Sequence, residues 1–269
     1  MSAEPAELPV LSPFVFDDGA AYELMMGRWS MLVAQPFLVW LSLPAGLKWL
    51  DDGCGDGSFT ESLLLHQRPS MVLGVDPSPA QLSYARQRIS HARVRFLQGD
   101  AQALPLPDAS VDAAVMALVL FFVPDPLQGV REMVRVVQCG GTVAAYQWDL
   151  DGGGLPLQPI LDAVHAEGYQ SQAPPSAWSA TMAASCSLWR SADMIDVQTR
   201  QFGVSRTFDS FDNYWRTAYG SPRLRELFSS LSPIALQRVY ERVRLRVGGT
   251  SDRPLVLTAR ANAVSGRKR

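Results

Sequence analysis

The chain reads as an α/β protein built on a parallel sheet, and three observations predict it. The apolar run into Asp51 and Asp52 meets the turn Gly53-Cys54-Gly55-Asp56-Gly57 and then a helical stretch from Ser58 to Leu65, the strand, glycine turn and helix of nucleotide-binding folds. Two further apolar segments, Ser70–Asp76 and Arg93–Asp100, also end in an acid, so Asp51, Asp76 and Asp100 recur at intervals of 25 and 24 residues. That interval is one strand plus one helix, which puts all three acids at the same sheet edge. Third, Val111–Ala117 is almost wholly apolar, as a strand covered on both faces must be.

The remaining elements follow in order. Pro77-Ser78-Pro79 punctuates the chain before a helix from Ala80 to Ser90. After the fourth strand, Pro124-Asp125-Pro126 opens another helix, with Asp125 as cap and Pro126 in the first position. Leu127, Val130, Met133, Val134 and Val137 give it a helical apolar stripe, and Gly140-Gly141 is expected to stop it. Thr142–Trp148 is the fifth strand. Glycine-rich 152–154 and Pro174-Pro175 flank a short helix at Ile160–Glu167. Val197–Phe208 reads as a long strand, Asp209–Tyr219 and Arg223–Val247 as helices, and Pro254–Val264 as a last strand able to pair antiparallel at one edge. One domain over residues 1–269 is expected, with N-terminal cap helices at about 14–43 and an insertion over the active edge at about 150–190.

Composition narrows the function classes. With 47% apolar residues the chain has ample core, and a net charge of −2 argues against a nucleic-acid partner, which calls for a basic face. The apolar run Ala113–Val123 is shorter than the roughly 20 residues of a membrane helix, and no membrane partner is expected. The N-terminus lacks the basic flank and apolar stretch of a signal peptide. Cys54, Cys139 and Cys186 are widely spaced without a C-x-x-C pair, so neither a disulfide framework nor a metal site is indicated, and a cytoplasmic setting is expected. His66, His91 and His165 form no cluster in sequence, and no serine or cysteine nucleophile with its base is visible.

The turn itself is informative about its ligand. Three aspartates beside a pyrophosphate would repel it by about 4 kcal/mol per close pair at an effective dielectric of roughly 20. A cationic or neutral-headed nucleotide fits better.

Six ordered segments carry a resemblance: Trp49 to Gly57, Val75 to Ser78, Gln98 to Ala101, Ala103 to Val115, Val123 to Pro126, and Arg131 to Gly141. Together they resemble the class I S-adenosylmethionine-dependent methyltransferases, and within them the small-molecule group that includes ubiquinone and menaquinone C-methyltransferase-like enzymes. The resemblance covers roughly Tyr22 to Trp148. It implies a doubly wound, Rossmann-like sheet of seven strands in the order 3-2-1-4-5-7-6, with strand seven antiparallel.

It also implies roles for residues and a cofactor, S-adenosylmethionine. Asp51 would organise the cofactor loop, and Gly53, Gly55 and Gly57 would admit the methionine part to the backbone. Asp76, followed by Pro77, would accept both ribose hydroxyls. Asp100 and the backbone of Ala101 would face the adenine amino edge, and Ala117 would line the pocket through its main chain. Three residues depart from the pattern: Cys139 replaces a usual proline, and Asp52 and Asp56 stand where apolar and Thr or Ser residues are usual. Extra acids beside a zwitterionic methionine tail call for a cation, and Arg28 is the candidate from the cap helix. Trp29, Phe121, Phe122, Tyr146 and Trp148 are candidates for either the acceptor pocket or the core.

The implied reaction is methyl transfer to a small-molecule acceptor by direct displacement, in which alignment and exclusion of water suffice and no catalytic residue is assigned. Tyr22, Tyr146 and His165 are not assigned as bases. Two alternatives stay open. A nicotinamide dehydrogenase would share the Asp76 grip on ribose, but it needs a third motif glycine where Ser58 stands. A cofactor-binding, non-catalytic partner or regulator with the same fold lacks any excluding feature. Base modification of nucleic acid is disfavoured, since Ala117–Leu120 lacks a polar-Pro-Pro-aromatic signature.

Overall fold

A computed structural model of the chain describes residues 26–170 and 172–269; Tyr22 and the cap region before residue 26 lie outside them. Seven strands form one sheet: β1 (Lys48–Asp52), β2 (Met71–Asp76), β3 (Val94–Gln98), β4 (Val111–Ala117), β5 (Val137–Trp148), β6 (Ile195–Phe208) and β7 (Leu255–Arg267). Their order is β3-β2-β1-β4-β5-β7-β6, as the resemblance implies. β1 pairs in parallel with β2 and β4, β2 with β3, and β4 with β5, while β5 and β7 run antiparallel. The almost wholly apolar β4 therefore lies inside the parallel part, between β1 and β5, where both faces are covered.

The chain divides into two compact units. One comprises, among the described residues, 26–155, 174–205 and 258–269 and holds the parallel strands with helices α1 (Arg28–Leu41), α2 (Ser58–Gln67), α3 (Pro79–Arg88), α4 (Pro126–Val136) and α6 (Met182–Ser191). The other includes residues 156–173 and 206–257, with α5 (Gln158–Ala166), α7 (Phe211–Gly220), α8 (Pro222–Ser230) and α9 (Pro233–Val247). The segment expected as an insertion is thus shared: 156–173 goes with the helical unit and 174–190 with the sheet.

Local chemistry explains where the helices start. Asp125 accepts the Gln128 N–H at 3.0 Å and Ser78 accepts the Gln81 N–H at 3.3 Å, each before a proline that presets the first turn. A single helix over 223–247 is not what forms. Ser232 caps a fresh start at Pro233, accepting the Ala235 N–H at 3.1 Å, and the missing N–H of that proline ends α8. In the helical unit α9 is tied to α5 by Arg246 to Asp162 at 2.6 Å and to the following loop by Arg242 to Glu167 at 2.9 Å. Phe211, Trp215, Phe228 and Tyr240 pack ring against ring inside it.

Gly140-Gly141 does not stop a helix. α4 ends at Val136 and the chain is already strand at Val137, where β-branched residues pair with β4. Gly140, at φ +78°, bends the strand instead, and its N–H reaches the Lys268 carbonyl at 2.9 Å. A Cβ on Gly141 would sit 2.5 Å from the Asp112 carbonyl.

The core of the sheet unit lies between β4, β5, α4 and α6, with Met116, Val130, Met133, Val143, Leu188 and Trp189 at its centre. Trp189 is fully buried and donates from Nε1 to the Val143 carbonyl at 2.8 Å. Replacing Trp189 with Phe removes that donor and leaves a small cavity, so unfolding in urea is expected to show a loss of about 2–4 kcal/mol. An unchanged midpoint would show that α6 does not depend on this contact.

Candidate functional site

β1 is the pivot of the sheet. The chain moves from it to β2 on one side and later to β4 on the other, so a crevice opens beyond the carboxyl ends of these strands. The glycine turn leaves β1 at this point. The N–H groups of Gly53 and Cys54 both donate to the Val75 carbonyl, at 2.7 and 3.0 Å, and fold the turn back over β2. Gly53 lies at φ +78°, and a Cβ there would come within 2.5 Å of the Val119 side chain, so only glycine fits. Gly57 begins α2. Ala117 ends β4, half-buried and in register with Tyr146, and Leu118 after it takes φ +63°, an uncommon conformation for a leucine.

Asp76 ends β2 and ties the turn to the second strand. One carboxylate oxygen accepts the Gly55 N–H at 2.9 Å and the other the Ser78 N–H at 2.8 Å. Burial raises its pKa above the ordinary range, and those two backbone hydrogen bonds moderate the rise. Each oxygen keeps a lone pair for a further donor. Pro77 beside it is exposed. Asp100 lies two residues beyond β3, is exposed, and accepts the Gln102 N–H at 2.8 Å, with Ala101 half-buried next to it. The expected residues of the motifs thus gather at the ends of β1 to β4.

The acids of the turn differ sharply in what answers their charge. Asp51 is fully buried and accepts the Thr60 hydroxyl at 2.6 Å, while its Oδ1 has no partner. Burial pushes its pKa up to about 7; the Thr60 bond opposes this, and Asp76 and Asp56 add to it. Asp52 is equally buried, with Oδ2 unpartnered, and burial together with Asp51 and Asp76 lifts its pKa well above the usual carboxylate range.

Asp56 is a different case. It accepts the Ser58 N–H and hydroxyl at 2.9 Å each and pairs with Arg88 at 3.5 Å. Arg88 also bonds the Ser58 hydroxyl at 2.8 Å and pairs with Glu61, so it clamps the N-terminus of α2 from α3. The cation beside the turn is therefore Arg88, which sequence reasoning missed because it lies 32 residues from Asp56. Arg28 begins α1, is exposed, and makes no ion pair among the described residues.

Of the aromatic candidates, Trp29, Phe121, Tyr146 and Trp148 are buried and Phe122 half-buried. Tyr146 belongs to the packing of α1: its hydroxyl meets that of Ser30 at 2.9 Å and its ring the edges of Phe37 and Phe59. His165 lies in the helical unit. Among the described residues, no group of three or more His, Cys, Asp or Glu is placed to hold a metal, and no helix is long and apolar enough to cross a membrane.

Comparison with known proteins agrees with this geometry. Residues 50–145 match the family model described as a methyltransferase domain. The demethylmenaquinone methyltransferase of Roseiflexus castenholzii is 34% identical over 125 residues, 46% of this chain and 50% of that protein. Over this segment the chain is similar to S-adenosylmethionine-dependent methyltransferases. The similarity extends to quinone-pathway members such as demethylmenaquinone methyltransferases. A 2-methyl-6-phytyl-1,4-hydroquinone methyltransferase of rice is 40% identical over 96 residues, 36% of this chain and 29% of that protein. The chain spans half or less of the length of these curated relatives. A solved methyltransferase structure from an antibiotic biosynthesis pathway of Anabaena variabilis shares the fold, with a TM-score of 0.59 at 18% identity, over 87% of this chain and 98% of that one.

Two outcomes follow from the charges at this turn. Asp51 has an ordinary pKa of 3.8 when unfolded and about 7 when folded, so the folded state holds the proton more tightly. Its contribution to stability is complete below pH 4, falls as pH rises, and is gone above pH 7, a span of about 4 kcal/mol. Urea unfolding across this range should show Asp51→Asn losing less stability than the parent; parallel curves would contradict it. Arg88→Met strands the buried Asp56 and should cost about 2–4 kcal/mol, most of which Asp56→Ser in the same chain restores.

Proposed function

We propose that the protein transfers a methyl group from S-adenosylmethionine to a small-molecule acceptor by direct displacement. The observation that carries this is the Asp76 carboxylate. It stands at the end of β2, locked by the Gly55 and Ser78 N–H groups, with a free lone pair on each oxygen for the two hydroxyls of a ribose. The residues fit the cofactor in a second respect. Asp51 Oδ1 and Asp52 Oδ2 are buried without partners, an arrangement that suits a cation and opposes a pyrophosphate.

Asp51 and Gly53, Gly55 and Gly57 would hold the methionine part, Asp76 with Pro77 the ribose, Asp100 and Ala101 the adenine, and Ala117 the wall of the pocket. Arg28 remains the proposed partner of the methionine carboxylate. When bound, S-adenosylmethionine supplies a methyl already activated by positive sulfur, and sulfur keeps the bonding pair as the acceptor takes the methyl. The chain's own residues align the reactants and keep water out. No base is assigned.

The relatives' acceptors, by their names, include a phytyl hydroquinone, a demethylmenaquinone and a malonyl-acyl-carrier protein, so the shared element is the methyl donor. In the same proposal the chain works as one methyltransferase domain, with cap helices at about 14–43 and an insertion at about 150–190. The three free cysteines support a reducing, cytoplasmic setting.

Asp76→Ala is expected to weaken S-adenosylhomocysteine binding by about 10–100-fold by calorimetry, the loss of charge-assisted hydrogen bonds. Unchanged affinity would remove Asp76 from the site. Conversion of S-adenosylmethionine to S-adenosylhomocysteine with an acceptor panel separates an enzyme from a non-catalytic binding partner.

A further inference from the structure

Asp52 is the one acid of the turn that nothing in the fold explains. It is the last residue of β1, almost fully buried, and stands next to Asp51, whose carboxyl takes the Thr60 hydroxyl of α2. Successive strand residues point to opposite faces, so Asp52 is turned away from that hydroxyl. Oδ2 of Asp52 has no hydrogen-bond partner.

The charged groups that act most strongly on Asp52 are acids: Asp51 on its own strand, Asp76 at the end of β2, Asp100 beyond β3 and Glu132 on α4. The Cys54 thiol lies close as well. The arginines that pair with acids around the turn and with Glu132 are engaged there. Arg88 serves Asp56 and Glu61, and Arg135 serves Glu132, Asp108 and the carbonyls of Leu104 and Leu106. A buried carboxyl in such surroundings holds its proton until a positive charge arrives.

Resting on the methyl-donor function proposed above, we infer that Asp52 makes the site select the positively charged donor over its uncharged thioether product. The two ligands differ by one methyl and one positive charge at sulfur. A shape contact registers only the methyl, whereas a desolvated carboxyl registers the charge. As the donor enters, the Asp52 proton leaves to solvent. Once the methyl has gone and sulfur is neutral, a proton returns and the hold on the product slackens. Asp52 is thus a selectivity residue, distinct from the groups that grip adenosine.

Calorimetric titration with S-adenosylmethionine and with S-adenosylhomocysteine tests this, using the full chain, Asp52→Asn and Asp52→Val in two buffers of unlike ionisation enthalpy. The ratio of product Kd to donor Kd should fall about tenfold in both variants. The parent should also release more protons with the donor than with the product, and that excess should shrink in the variants. A ratio within about twofold of the parent's, with both ligands binding, overturns the role of Asp52 and leaves the methyl-donor function standing. Failure of the parent to bind either ligand overturns both. Valine removes a buried unpaired acid and asparagine keeps its shape, so one folded variant suffices.

Discussion

A buried carboxylate must be answered by a charge or by hydrogen bonds, and this constraint organises the carboxyl edge of the sheet. Four aspartates crowd within and beside one glycine turn, and each meets the demand differently. Asp56 is answered by Arg88, Asp76 by two backbone N–H groups, Asp51 in part by Thr60, and the Asp52 Oδ2 by nothing. The four thus run from fully paired to unpaired within one turn. Where pairing is complete the acid holds α2 to α3; where it is incomplete the site keeps an unmet preference for positive charge.

The sheet supplies the stage for that gradient. Because β1 lies between β2 and β4, the turn after it is flanked by the ends of two parallel strands, and the Val75 carbonyl takes both of the first N–H groups of the turn. Close packing then limits what the turn tolerates. The contact of Gly53 with Val119 links the turn to the exit of β4, the same stretch where Leu118 adopts its uncommon conformation. Strain and missing side chains thus meet where a ligand would be held.

Much of this was legible beforehand because it depends on spacing along the chain. The recurrence of Asp51, Asp76 and Asp100 follows from the length of a strand plus a helix, and the caps at Ser78 and Asp125 from neighbours three residues apart. Features set by distant contacts were misread or unseen. Gly140-Gly141 looks like a helix stop, yet Lys268 and Asp112 draw it into a bent strand. Ser232-Pro233 divides a stretch whose composition reads as one helix. The 3₁₀ turn at Ala177–Ala180 and the helix α6 leave too weak a pattern to read.

The acidic turn shows the same division within seven residues. The amino-acid sequence by itself determined that aspartates and glycines follow a strand at a sheet edge, a turn that suits a cationic or neutral-headed nucleotide better than a pyrophosphate. Only the tertiary structure decided which acids are neutralised, since Arg88 reaches Asp56 from another helix while Arg28 starts α1 exposed. Charge pairing depends on distances through space and on burial, and neither is written in the order of residues.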